Sequence, residues 1–130
     1  MSGLRHNEYV ALLDQIAVLQ RKKLTLEKEQ VEIRDRIRSI HAKLVLEVGT
    51  VKDGKGKLIH SNEQLRSAAL TLKLQEHEEF REVREKSRAI DHEISEIVIE
   101  HNKLVDQKYL LMVELGISLK SEDEKYPDVH

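Results

Sequence analysis

Two runs of heptad-spaced residues constrain this chain more than anything else in it. The first runs Tyr9, Leu12, Ile16, Leu19, Lys23, Leu26, Gln30, Ile33, Ile37, Ile40, Leu44, Glu47. The second runs Phe80, Val83, Ser87, Ile90, Ile94, Ile97, His101, Leu104, Lys108, Leu111, Leu115. Alternating steps of three and four give a period of about 3.5 residues per turn, that of helices wound left-handedly around one another. The seams therefore predict an all-α chain whose core is the thin line between two long helices.

Composition agrees with that shape. Aromatic residues make up 3% of the 130 residues and charged residues 35%. A compact globular core needs more large apolar side chains, whereas a seam between helices does not. The apolar residues are periodic, which separates the chain from the disordered class. The net charge of −2 creates no global field to recruit nucleic acid or membrane. There is no cysteine, hence no disulfide, no thiolate nucleophile and no Cys-ligated zinc. No apolar run approaches the length of a membrane span, and MSGLRHNEYV lacks the apolar stretch of a signal peptide. A cytoplasmic location is expected.

Helix 1 is expected over about residues 5–48, with Ser2 or Asn7 as cap and Gly49 at its C-terminal end. Helix 2 is expected over about 62–115, opened by a capping box with Ser61 as N-cap and Gln64 three residues on, and closed by Gly116. Such helices would be roughly 65 and 80 Å long. A tip over residues 49–61 joins them. Asp53-Gly54 predicts a two-residue type I′ turn, with Val51 and Leu58-Ile59 as short strands; an irregular loop is the alternative. Residues 1–117 form one helical hairpin in this reading. Residues 118–130, ending SEDEKYPDVH, form a disordered polar tail.

Placing the seams face to face in an antiparallel hairpin pairs Leu12 with His101, Ile16 with Ile97, Leu19 with Ile94, Gln30 with Val83 and Ile33 with Phe80, and brings Glu47 to Arg66. The polar seam residues Lys23, Gln30, Ser87, His101 and Lys108 then act as register markers. The phase slips through Glu76 in two steps of four, a stutter. Helix 2 outruns helix 1 beyond Lys108 in this register. The unpaired stretch holds Tyr109, Leu110, Leu111, Met112, Val113 and Leu115, then Ile117 and Leu119, and Val98, Val105 and Met112 widen the apolar stripe. Contiguous apolar surface marks an interface. Val98, Val105, Tyr109, Leu111, Met112 and Leu115 are thus the expected oligomer interface, most simply a homodimer closing a helical bundle, with a dedicated protein partner as the competitor.

The polar residues carry no catalytic or metal-binding signature. The residues three before each histidine are Gly3, Arg38, Lys57, Leu74, Ala89, Val98 and Pro127, so no Glu-x-x-His motif exists. His77-Glu78 and His92-Glu93 do not continue into His-Glu-x-x-His. The DGKGK segment lacks the spacing of a phosphate loop, and Glu76, Glu78 and Glu79 read as a solvated face. No catalytic residue, cofactor or metal is expected. The one polar cluster above background is basic: Lys52, Lys55, Lys57 and His60 around the turn, with Arg66 beyond and Asp53 opposing them. It could grip phosphates or an acidic protein face, or simply keep a turn soluble; no aromatic residue stands ready to stack on bases.

The segment from Lys52 to Arg66, KDGKGKLIHSNEQLR, resembles small uncharacterised bacterial and phage-borne coiled-coil proteins. In these a turn ending in Gly-Lys and a Ser-Asn-Glu cap open a helix bearing Arg and Ala, followed by a charged coiled coil. The similarity extends loosely through LKLQEHEEFRE at 72–82 and covers about a third of the chain. It implies an accessory protein of prophage or mobile-element origin and supplies no catalytic residue. Transcription-cleavage factors resemble the outline, but their tips are acidic where this one is basic. Prefoldin-like chaperones join their helices by β-hairpins and work through open helix ends.

The expectation is a non-enzymatic protein–protein interaction or scaffold protein acting as a homo-oligomer, with an unknown protein partner and no membrane association. The alternative is a nucleic-acid-binding accessory factor using Lys52, Lys55, Lys57 and Arg66.

Overall fold

A computed structural model describes residues 2–116, with side chains from residue 5 onward. The chain is all-helical over that range: α1 spans Ser2–Thr50, α2 Glu63–Glu76 and α3 Glu78–Leu115. The expected polar tail, with Ile117 and Leu119, lies outside the described residues. Two units divide the chain, one made of residues 1–25 with 94–130 and the other of residues 26–93.

Burial follows the heptads. In the second unit Gln30, Ile33, Ile40, Leu44, Phe80 and Ile90 are buried. Ile37, Leu70, Leu74 and Val83 pack against Ile40, Leu44 and Phe80. In the first unit Leu12, Ile16, Leu104 and Leu111 form the core, with Tyr9, Leu19 and Val105 packed on it. Burying each Leu or Ile is worth roughly 1.5–3 kcal/mol, so these short clusters hold the helices together.

The register differs from the expected one. In the second unit Gln30 meets Ser87 and Asp91 instead of Val83. Lys73, where Arg66 was expected, pairs with Glu47 at 3.4 Å. In the first unit His101 meets Gln20 instead of Leu12. Arg5, expected beside Lys108, pairs with Glu114 at 3.3 Å. The Glu47–Lys73, Gln20–His101, Gln30–Asp91 and Arg5–Glu114 pairs are displaced by close to one heptad of about seven residues, and the Gln30–Ser87 and Arg36–Glu79 pairs by less. Such a slide carries each seam position onto another seam position, so the apolar pattern alone does not oppose it. It also supplies partners to the stretch expected to be unpaired. Leu111 and Met112 are buried within the chain, Met112 to 1% exposure.

Local chemistry moved four boundaries. Gly49 is helical and α1 continues to Thr50, whose hydroxyl donates back to the Leu46 carbonyl. The N-cap of α2 is Asn62, one residue after Ser61; its side-chain oxygen accepts from the Leu65 amide at 2.8 Å. The stutter is realised as a break. His77 adopts extended dihedrals between α2 and α3, and its Nδ1 accepts from the Phe80 amide at 3.0 Å. His77 thus closes one helix and caps the next. At the far end of α3, Gly116 takes φ +70°, as the sequence predicts for a helix terminator.

The tip is a minimal hairpin. Its pairing is one antiparallel bridge, Lys52 with Leu58, and no strand occurs among the described residues. The Asp53 amide donates to the Lys57 carbonyl and the Gly56 amide to that of Asp53. This makes a three-residue loop, Gly54-Lys55-Gly56, instead of the expected two-residue type I′ turn. A type I′ turn needs positive φ at both central residues; here Gly56 alone in the loop is positive, at +78°.

Candidate functional site

The basic turn is built around Asp53. Its Oδ1 accepts from the Lys55 amide at 2.8 Å and the Lys57 amide at 3.0 Å, an Asx turn that locks the loop. The carboxylate that opposes the lysines in the sequence is therefore engaged by backbone. Lys52, Lys55 and Lys57 are all exposed, and His60 is half-buried. Arg66 departs from the expected cluster in its role. Its guanidinium donates to the His60 carbonyl at 3.3 Å, tying the start of α2 to the end of the loop. Three flexible cations on a stiff turn can attract a polyanion or an acidic protein face. They offer no planar fork and no stacking surface, so nothing here reads bases.

The expected oligomer interface separates into two sets. Leu111 and Met112 belong to the core of the first unit, and Val105 packs against it. Leu115 is half-buried. Val98 and Tyr109 remain open, at 37% and 42% exposure. Sequence reasoning missed a further apolar set on α1: Val10, Leu13, Val18 and Leu24 are all exposed. Val10, Ala17, Leu24 and Val31 recur every seventh residue, a signal present in the sequence but masked by the stronger seam beside it.

Also missed was a groove in the second unit lined by Thr71, Leu74, Gln75, Phe80, Arg81, Arg84, Glu85 and Arg88. Arg81, Arg84 and Arg88 share one face of α3 by their spacing of three and four. Arg84 lies over the Phe80 ring at 5.8 Å, and Arg88 pairs with Glu85 at 3.6 Å. Much of that positive charge is thus engaged locally.

Polar seam residues do what lone polar seam residues do. Gln30, 2% exposed, donates 2.9 Å to the Ser87 carbonyl and 2.7 Å to Asp91 Oδ1. Its own Oε1 is buried with no hydrogen-bond donor against it. His101 lies 3.5 Å from Gln20 in a groove lined by Leu19, Lys23, Ile97, Val98 and Asn102. No group of three or more His, Asp or Glu side chains is placed to hold a metal among the described residues. No helix among the described residues is long and apolar enough to cross a membrane. No family model, curated protein or solved structure matches the chain.

Proposed function

We propose that this chain is a non-enzymatic interaction protein, an antiparallel coiled-coil hairpin that works as a homo-oligomer and presents its outer faces to a protein partner. The carrying observation is apolar surface left over after the seam is satisfied. On the first unit Val10, Leu13, Leu24, Ile99, Leu110 and Val113 stand 40–67% exposed. Isolated exposed apolar residues need no explanation, but several along one helix pair point to association. Contact pairs support the antiparallel sense. In the first unit Arg5 meets Glu114 and Gln20 meets His101; in the second, Gln30 meets Asp91 and Glu47 meets Lys73. A prophage or mobile-element setting is part of this reading and rests on the resemblance of residues 52–66 alone.

The test is molar mass by light scattering across a concentration series. An oligomer with high helicity is expected. A well-folded monomer of 15.1 kDa at every micromolar concentration overturns the reading.

A second reading is favoured by three exposed lysines against the single Asp53 carboxylate in one stiff turn: the turn binds a polyanion through phosphates. Such binding weakens with salt, with a log–log slope of about −3 for three phosphate contacts on duplex DNA. Changing Lys52, Lys55 and Lys57 to Gln removes it while helicity stays. Absence of binding to DNA and RNA at low salt eliminates this reading.

A further inference from the structure

The second apolar line on α1 has a definite geometry. Positions 10, 17 and 24 recur by heptads, with Leu13 and Gln20 between them, so Val10, Leu13, Ala17, Gln20 and Leu24 repeat the steps of three and four that define a seam. They lie one residue C-terminal to the buried seam, about 100° around the helix. Val10, Leu13 and Leu24 are 45%, 40% and 54% exposed, and Ala17 is half-buried. In a two-helix pairing such a position faces solvent and is normally polar. A sequence that spends two heptad lines on one helix provides for two neighbours, of which α3 is one.

The neighbouring part of α3 continues the same edge. Gln20 touches His101, and both line one groove with Val98 and Asn102. Val98 and Tyr109 fall on that side of α3 by heptad position and are 37% and 42% exposed. The opposite edge is different. Arg5 pairs there with both Glu8 and Glu114, at 3.3 Å each, so its charges are satisfied within the chain.

We infer that the edge carrying Val10, Leu13, Ala17 and Leu24 is a homodimer interface, occupied by the same edge of a second copy with the two α1 helices antiparallel. This rests on the homo-oligomer reading above and names its face. Charge selects the orientation. Asp14 and Arg21 are exposed and flank the apolar line on its outer side. A two-fold axis crossing α1 between Ala17 and Gln20 sets Leu13 of each copy against Leu24 of the other. The same axis sets Asp14 of each against Arg21 of the other, two opposite-charge pairs. Parallel, in-register pairing would set Asp14 against Asp14 and Arg21 against Arg21. Ala17 at the crossing allows close approach. Val10, Leu13, Leu24, Val98 and Tyr109, each 37–54% exposed, supply the apolar part of that edge, smaller than the whole patch of about 800 Å² that one partner contributes to a standard interface. The remainder falls to the polar rim that such interfaces carry.

Sedimentation equilibrium of the full chain tests this with four variants: Asp14→Arg, Arg21→Asp, both together, and Leu24→Glu. All three sites are exposed, and circular dichroism verifies that each variant keeps its helicity. The wild type should sediment at twice 15.1 kDa. Each single charge reversal should weaken dimerisation about tenfold or more by setting like charges together. The double reversal should restore it, and Leu24→Glu should abolish it. A wild-type monomer overturns the homo-oligomer reading and this face with it. An oligomer unmoved by Leu24→Glu overturns this face alone. A double reversal that stays weak overturns the antiparallel register.

Discussion

The side-chain amide of Gln30 on α1 donates 2.7 Å to Oδ1 of Asp91 on α3, from a position 2% exposed to solvent. Asp91 also receives Arg34, at 3.6 Å. This polar layer sits among apolar ones that a heptad slide would exchange without penalty. Sliding α3 by one heptad would leave the Gln30 amide opposite Val83, and an unpaired buried amide costs about 1–3 kcal/mol. The Gln30 layer is therefore a register lock, bought with some stability because Oε1 goes unsatisfied.

Gln30→Leu should keep or raise thermal stability, within about 1 kcal/mol, while loosening the register. Cysteines replacing Gln20 and His101, whose side chains lie 3.5 Å apart, should be joined efficiently within one chain by a short bismaleimide. Adding Gln30→Leu should lower that yield in favour of pairs one heptad displaced. Unchanged yield would mean that packing, and not this amide, fixes the register.

His77→Ala should destabilise the second unit by about 1 kcal/mol through loss of the cap on Phe80. His77→Asn should recover most of it, since its side-chain oxygen can accept the same amide. Urea midpoints at neutral pH measure both. Equal losses in the two variants would show that the ring packs and does not cap.

Met112→Ala should cost about 2–5 kcal/mol, the range for emptying a buried site, and the loss should appear at any protein concentration. Tyr109→Ala should leave the unfolding midpoint nearly unchanged at concentrations where the chain is monomeric and lower it only where the dimer forms. If Met112→Ala mattered only where the protein oligomerises, that side chain would belong to an interface between copies.

Gly56→Ala should cost about 1 kcal/mol, entirely in backbone strain. Its φ is +78° and an added Cβ meets nothing within 4 Å. Asp53→Ala should raise the amide exchange rates of Lys55 and Lys57, which donate to that carboxylate. Exchange unchanged by the substitution would show that the loop holds its shape without the Asx turn.

The seams were legible in the sequence up to the end of α1: every seam position except Glu47 is buried or half-buried, and at that last position Val48 is buried in place of Glu47. Heptad periodicity sets which face is inside and says nothing about which heptad meets which. The expected register maximised overlap of apolar positions and gave no weight to the hydrogen bonds available to Gln30, so it came out one heptad short. The supposed unpaired end of α3 was a product of that choice. Likewise the stutter through Glu76 was legible as a phase change, but whether a helix unwinds or breaks depends on a cap, and His77 is not among the usual capping residues. The turn was placed correctly and its type was not, because a second glycine, Gly56, competes with Gly54 for the left-handed position.

Because His77 interrupts the backbone hydrogen bonds between α2 and α3, the segment before it can come undone while α3 stays wound. Helix α2 has no buried residue of its own. It holds to the core through Leu70 and Leu74 and through the Lys73–Glu47 pair. A segment so lightly held opens at a small fraction of the global unfolding free energy. Brief trypsin treatment should therefore nick first between Lys52 and Lys73. The two helical fragments should stay together afterwards, because the bonds that join them lie elsewhere along α1 and α3.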